Sequence, residues 1–416
     1  MRHKVTRARQ AGLCRKIGVG SVLALSAGAV GACADSTLDD LPIRTDSAGV
    51  SIVHYPSLPS VENSRLAIAD EPELTLGHEG GEPAYEFFTI AGVVRLGDGS
   101  LVVANAGTME LRVFSPDGRF LGAFGGRGEG PGELSFMRGL WITGGDSLVV
   151  WDGQSKFNLF SPSGEFVRTG HFIGTPFTGF RSWFWVRGVL ADGRVIGSHF
   201  PLSRPTTGVP ERGTELLAFT NLAVAQWDSV RVTPSDEMIG ATFGPGSFAS
   251  AAGSTVALVD GADFRIELYD ASGHLFTMIS ASFPDIPVTS SVLDAYVESF
   301  VEQLPAPTPE VIRDRLYSAP LAPVLPKVRA VFVDSDDRIW VERFDEVGSP
   351  KSLWEVFERD GTWIGRIGMP DGFVRHPVPR LAPGFSERSE RFSGVWMDPD
   401  SGVETVRVYR VHQRER

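Results

Sequence analysis

The sequence predicts an all-β fold, a six-bladed β-propeller of four-stranded blades. Three observations predict it. The unit at residues 90–133, IAGVVRLGDGSLVVANAGTMELRVFSPDGRFLGAFGGRGEGPGE, reads as four short strands separated by tight turns. Degenerate copies follow at a spacing of about 46 residues, which fits a four-stranded propeller blade. The last copy is cut short, and its missing strand occurs near the N-terminus. The alternative, a β-sandwich or two smaller β domains, accounts for neither the spacing nor the split last copy.

In the first unit, residues 91–96, 101–105, 111–114 and 119–124 are the strands. Gly97-Asp98-Gly99-Ser100 and Ser115-Pro116-Asp117-Gly118 are turns, because Gly, Pro, Asp and Ser suit turn geometry while β-branched and aromatic runs suit strands. The second copy repeats both signals at Gly144–Asp152 and Ser161–Phe166. The third runs from Arg187 through Ala191-Asp192-Gly193 to Trp227, with an insertion near residues 201–213. The fourth holds Val256–Asp260, Ile266–Tyr269 and the turn Asp270-Ala271-Ser272-Gly273; the fifth holds residues 331–341, 354–357 and 359–364. In the sixth, Phe392–Met397 is a first strand and residues 402–411 are expected to supply two more. Leu74-Thr75-Leu76-Gly77 with the Gly-rich run after it resembles residues 120–134, so the N-terminal strand is expected to close the sixth blade. Closure leaves no long open sheet edge.

Residues 1–32 read as a signal peptide. Arg2, Lys4, Arg7, Arg9, Arg15 and Lys16 form a basic leader, and residues 17–32 are charge-free, short and glycine-rich, which suits export better than a membrane span. Val30-Gly31-Ala32-Cys33 resembles a bacterial lipobox, which makes Cys33 the expected lipidated first residue; plain cleavage near Ala32 with a free Cys33 is the alternative. Residues 33–48 read as a polar tether and 49–416 as the propeller, with 49–55 a strand of no assigned place. The only other cysteine, Cys14, lies in the leader, so the mature chain has no internal disulfide. A ring of this size buries enough core without one.

The chain carries a formal charge of −12; without the six leader cations the mature part stands near −18. An acidic domain with no basic run argues against nucleic acid and against adhesion to anionic lipid through its surface. Membrane contact is expected only through the acyl group.

Residues 287–327 break the β pattern between the fourth and fifth blades. Thr289 or Ser290 caps a helix over 292–303, with Val292, Tyr296 and Phe300 on one face. Thr308-Pro309-Glu310 starts a second helix with Val311, Ile312, Leu316 and Tyr317 as its apolar face. The insertion is either a lid over one mouth of the ring or a decoration on the side of a blade.

Few residues suggest chemistry. The histidines are scattered and there is no HExxH or cysteine cluster, so no zinc site, and no cofactor, is expected. Asp334-Ser335-Asp336-Asp337 loosely resembles a calcium loop but stands where the other units have a turn. Gly125–Gly132 resembles a phosphate loop but lacks the strand-to-helix context, and reads as a linker between blades. No nucleophile elbow of the GxSxG type is present, although a Ser-His-Asp arrangement remains open.

Aligning the first strands places Arg138-Gly139, Arg187-Gly188 and Arg329-Ala330 in equivalent positions, with Ala91-Gly92 and Ser393-Gly394 in blades one and six. Innermost strands crowd at the ring axis, where only Gly or Ala lets backbones approach. Arg138, Arg187 and Arg329 would then form a positive focus for carboxylate or phosphate near one mouth. In the competing reading each arginine is tied to a blade acid.

The pattern GDGSLVVAN…LRVFSPDGRFLGAFGGRGEGPGE resembles NHL-type repeats and, more closely, bacterial six-bladed propeller lipoproteins of unassigned function. Asp46–Val50, Gly128–Glu133, Gly394-Val395-Trp396 and Val406–Tyr409 match that group, over roughly residues 46–411. The resemblance implies the fold and a cell-envelope protein on the periplasmic or outer-membrane face. Related six-bladed rings include lactonases and lyases with channel acids and histidines, a set not found here. The leading expectation is a monomeric, lipid-anchored binding module for a protein, peptide, saccharide or anionic ligand. The alternative is a metal-dependent hydrolase or lyase.

Overall fold

In a computed structural model the described residues are 41–414, apart from 79–81, 154–155, 172–181, 202–212, 222–226, 236–241, 303–309, 345–351, 371–372, 374–389 and 399–400. The leader and Cys33 lie outside them. Strands account for the repeat. Blade one is β5 Ile90–Arg95, β6 Leu101–Asn105, β7 Glu110–Phe114 and β8 Phe120–Gly125. Blade two is β9 Met137–Ile142, β10 Leu148–Asp152, β11 Lys156–Phe160 and β12 Phe166–His171. Blade three is β13 Ser182–Val189, β14 Arg194–Pro201, β15 Gly213–Asn221 and β16 Trp227–Ser235. Blade four is β17 Ser247–Ala252, β18 Thr255–Asp260, β19 Arg265–Asp270 and β20 Leu275–Ala281. Blade five is β21 Val328–Val333, β22 Ile339–Arg343, β23 Leu353–Phe357 and β24 Trp363–Gly368. These five blades are antiparallel four-stranded sheets, and with blade six they make a six-bladed β-propeller.

Blade six differs from the sequence expectation. Residues 402–411 do not give two strands: β26, Glu404–Gln413, is one ten-residue strand beside β25, Arg391–Met397. Two N-terminal strands complete the blade on the far side of β26. In β4, Leu74–Leu76, Leu76 pairs with Val406, Thr75 with Arg407 and Leu74 with Val408. In β3, Leu66–Ile68, Ile68 pairs with Val411. The blade therefore has four strands but is only three deep. The uninterrupted run VETVRVYRV holds no turn residue to break β26.

The strand of no assigned place is β2, Val50–Tyr55. It runs parallel to β20, on the outer edge of blade four, and β1, Ile43–Ser47, pairs outside it. The hydroxyl of Tyr55 donates to the Gly361 carbonyl at 2.9 Å and accepts from the Trp363 N–H at 2.8 Å, so β2 is clipped to a turn of blade five. Arg44 adds a hydrogen bond to the Asp360 carbonyl at 3.0 Å. The N-terminal segment thus straps blades four, five and six together before blade one begins.

Apolar residues of both sheet faces pack between neighbouring blades, so the core is a series of inter-blade layers. Leu76, Val406 and Val408 of blade six meet Ile90, Val103 and Phe114 of blade one. Val53 and Tyr55 lie in one cluster with Ile266, Ile279, Val341 and Phe357 of blades four and five. The third-to-fourth-strand turns supply a repeated contact. Gly118, Gly164 and Gly361 have φ near +85°, a left-handed conformation that glycine adopts without strain. A Cβ there would fall 2.6 Å from Leu74, 2.6 Å from Phe124 and 2.9 Å from Val53 respectively. Each turn lies flat on the blade before it, and β4 and β2 receive this contact as if they were outer strands of their blades.

The insertion contains α1, Ser290–Glu302, and α2, Glu310–Ser318. The Thr289 hydroxyl accepts the Val292 N–H at 3.3 Å, which is the expected N-cap. Leu293 and Val297 of α1 pack on Phe243, in the link into blade four, and Phe344, just after β22, joins the same cluster. The Thr242 N–H donates to the Pro320 carbonyl at 2.6 Å. Thr242 leads into β17 and Phe344 follows β22, whose end faces the start of β21. The insertion therefore packs where the inner strands of blades four and five begin. The apolar face expected for α2 is buried in part: Leu316 packs against the same cluster and Ile312 is half-buried, whereas Val311 is 72% and Tyr317 43% exposed. Polar contacts add to the hold on this nine-residue helix, an Arg313–Glu298 ion pair and a Tyr317–Asp294 hydrogen bond of 3.1 Å.

Two loops resolve as the sequence suggested. In the Gly-rich link the N–H groups of Gly126, Gly128 and Gly130 are spent on Met109, Leu134 and Glu133, so none forms a phosphate cradle. Asp334 caps its own turn, accepting from the N–H groups of Asp336 and Arg338 at 3.0 and 2.9 Å and from the Trp340 indole at 2.9 Å.

Two predictions follow from this architecture. Removing the chain up to Gly80 should lower the melting temperature of the whole domain, because blade six loses its outer layer. Leu76→Ala, at a site 2% exposed, should cost about 2–5 kcal/mol in urea unfolding; a deletion with unaltered melting would contradict ring closure. Burial pushes the Asp334 carboxyl from 3.8 up to about 6, against the opposing pull of Trp340 and Arg338. Between those pH values the folded chain keeps a proton that the unfolded chain has lost. The contribution of Asp334 is thus fully present below about pH 4 and is lost as pH rises through about 6, by at most about 3 kcal/mol. The stability difference between the parent and Asp334→Asn should fall across that window, and a flat difference would refute the assignment.

Candidate anion site at the inner strands

The three arginines selected from the sequence share one structural position. In β9, Gly139 pairs with Trp151 and Met137 with Asp152, so Arg138 is skipped by the ladder. In β13, Val186 pairs with Gly197 and Gly188 with Ile196, which skips Arg187. In β21, Val328 pairs with Arg343 and Ala330 with Glu342, which skips Arg329. Ala91 is skipped in the same way in β5. Each is the extra residue of a β-bulge in an inner strand, near the start of β5, β9 and β21 but six residues into the longer β13, and such a bulge re-aims a side chain. Blade six departs from the pattern: β25 pairs with β26 without interruption, so Ser393 is not such a residue.

The small residue after the bulge has the expected cause in two blades. A Cβ on Gly92 would lie 3.1 Å from Leu140 Cβ and 3.2 Å from its backbone nitrogen, in the next blade. A Cβ on Gly188 would collide with the backbone of Ala251, its parallel partner in blade four. Gly139 and Gly394 are crowded by aromatic side chains of their surroundings, Trp141 and Phe373 among them.

Arg138 and Arg329 are not tied to acids among the described residues; each meets aromatic rings. The Arg138 guanidinium carbon lies 4.2 Å from the centroid of Phe136, 5.8 Å from Trp151 and 5.9 Å from Trp185. Burial alone lowers its pKa. Its Nε is buried without a hydrogen-bond partner, and so is the indole N–H of Trp151. Arg329 lies 4.9 Å from the Phe344 ring, which also belongs to the insertion's core. Arg187 is 4% exposed and engaged within the protein. Arg138 and Arg187 stand on the inner strands of adjacent blades, whereas Arg329 is two blades further round.

The rings were the part the sequence reading missed. Trp151 lies in the strand LVVWD, and Trp185 lies two residues before Arg187 in β13. The acid beside Trp151 is spent elsewhere. Asp152 accepts the Ser135 N–H at 3.0 Å and the Phe136 N–H at 2.5 Å, and pairs with Lys156 at 3.1 Å. Among the described residues, no three acid, histidine or cysteine side chains gather as a metal site would require. No described helix is long and apolar enough to cross a membrane.

Comparison with known proteins bears on the fold. Residues 87–173 match the DUF5128 family, described as a 6-bladed beta-propeller. No curated protein matches the sequence. Similar solved structures include a member of the DUF4221 family from Bacteroides vulgatus ATCC 8482, 9% identical with a TM-score of 0.49, covering 85% of this chain and 100% of that one. A Bacteroides fragilis NCTC 9343 protein provisionally classed as exported is 12% identical, TM-score 0.46, with 88% and 100% covered. The calcium-binding protein regucalcin from Agrobacterium tumefaciens C58 is 10% identical, TM-score 0.39, with 84% and 96% covered. The chain is a six-bladed β-propeller whose family match spans blade one and blade two.

Proposed function

We propose that this protein is an exported, lipid-anchored propeller of the cell envelope that binds an anionic group at the inner-strand end of its ring. The ligand is a small anion or the anionic group of a peptide or saccharide. The observation that carries this reading is the shared bulge position of Arg138, Arg187 and Arg329. For Arg138 and Arg329 the neighbours are aromatic rings, and among the described residues no carboxylate pairs with them. On a chain of formal charge −12, arginines left unneutralised form a local attraction for anions that the remaining surface repels. The insertion lies at the same end and shares Phe344 with Arg329. Anchoring rests on the lipobox-like Val30-Gly31-Ala32-Cys33 behind a basic, apolar leader.

Two measurements test the reading. Replacing Arg138, Arg187 and Arg329 together by Gln should weaken binding of whichever anions the parent takes from a panel of phosphate, benzoate and uronates, followed by calorimetry. Unchanged affinity for all of them would defeat the site. Cys33→Ser should leave the membrane fraction or accumulate unprocessed; a variant that fractionates and migrates like the parent would defeat the anchor.

A further inference from the structure

The geometry points to a carboxylate subsite at Arg138 and Trp151, for a monocarboxylate that carries a flat apolar body. The inference deepens the anion-site reading and rests on it. Two buried donors here lack an acceptor, the Nε–H of Arg138 and the indole N–H of Trp151, the latter on a side chain 2% exposed. Trp151 and the Arg138 guanidinium are neighbours, 5.8 Å from ring centroid to Cζ. A buried donor without an acceptor is unfavourable, the more so when it is charged, so two neighbouring ones mark where an acceptor is missing. Asp152, the acid next to Trp151, does not supply one: it is taken by Ser135, Phe136 and Lys156.

The surroundings select the acceptor. Aromatic rings attract the flat face of a guanidinium, and this leaves its N–H edge for a second partner. A carboxylate matches that edge with two parallel oxygens. The group offers a single positive charge beside a neutral indole, which balances a monocarboxylate and leaves a dianionic phosphate half neutralised. The body of the ligand would meet rings. Phe136 stacks on Arg138 at 4.2 Å and is still 50% exposed, so ring surface remains open beside the guanidinium. Trp185, 6% exposed, packs edge-on against Trp151 at 6.2 Å and closes the inner side.

The test uses benzoate, acetate and inorganic phosphate, titrated into the 15N-labelled protein. The indole N–H signal of Trp151 is identified by its loss in Trp151→Phe. Benzoate should move that signal saturably, at lower concentration than acetate and far below phosphate. Arg138→Gln should weaken benzoate binding about tenfold or more. Arg359→Gln, which removes a guanidinium stacked on Phe276 elsewhere in the ring, should leave it within about twofold. The other indole signals report whether Arg138→Gln is folded. If it is not, Arg138→Lys, which keeps the charge and loses the fork, should show the same loss. Calorimetric binding of benzoate that neither moves the Trp151 signal nor depends on Arg138 would overturn the subsite and leave the wider anion site standing. Phosphate binding more tightly than benzoate would overturn the carboxylate assignment. No binding of any of the three anions would overturn both.

Discussion

The structure depends on closing a ring whose last blade has too few strands of its own. β25 and β26 cannot bury both faces and satisfy their outer edge. Strands β3 and β4 provide that edge, and the apolar side chains of β4 continue straight into the core of blade one. A second tie crosses the same seam. Glu404, at the start of β26, accepts the Ile90 N–H at 2.6 Å, and burial holds its carboxyl above the usual range. Thr89, beside it, has φ +59°, a conformation unusual for a β-branched residue that persists only where its surroundings fix it. Arg112 then binds the carbonyls of Pro83, Ala84 and Glu86, which holds the last part of the link from β4 into blade one.

Closure explains why the N-terminal segment visits three blades. Strand β2 lies between β20 and the exposed β1, and such a two-stranded addition is marginal in water on its ladders alone. Strand β2 gains a second hold through Tyr55, whose hydroxyl both donates to and accepts from the turn of blade five. Ser64 does the same one step further on, donating to Leu66 and accepting the Arg366 N–H. Each blade-to-blade join is thus fixed twice, by an apolar layer and by a polar clip at the rim.

Much of this was legible in the residues and some was not. Turn residues recur at fixed offsets, so Gly118, Gly164 and Gly361 announced the blades, and the small residues at 92 and 188 announced close approach of inner strands. What sequence could not give was pairing at a distance. Nothing local in Val50–Tyr55 says that it lies parallel to β20, because the partner is set by the path of the strap. The single long β26 was misread for a related reason: the repeat length leads one to expect two strands, whereas the absence of a turn residue between Glu404 and Gln413 decides for one. The arginine positions were found from register, but their neighbours were not. Trp151 reaches Arg138 through the β9–β10 pairing of blade two, whereas Trp185 belongs to blade three and only the ring brings it there.

The bulge connects architecture to chemistry. Inner strands approach so closely that the residue facing the next blade must be small, as the contacts of Gly92 and Gly188 require. Inserting one unpaired residue just before it relieves the ladder and frees that residue's side chain from the pleat. The freed position takes different residues: alanine, packed into the core, in blade one, and arginine in blades two, three and five. An acid placed opposite such an arginine would turn it into a strut. Rings instead stabilise the cation while leaving its hydrogen-bonding edge unspent. At Arg138 the ring contacts, the neutral indole and the fully engaged Asp152 together keep a guanidinium available in a chain that is otherwise strongly acidic. The constraint that builds the ring therefore also creates the place where a positive group can be exposed to a ligand.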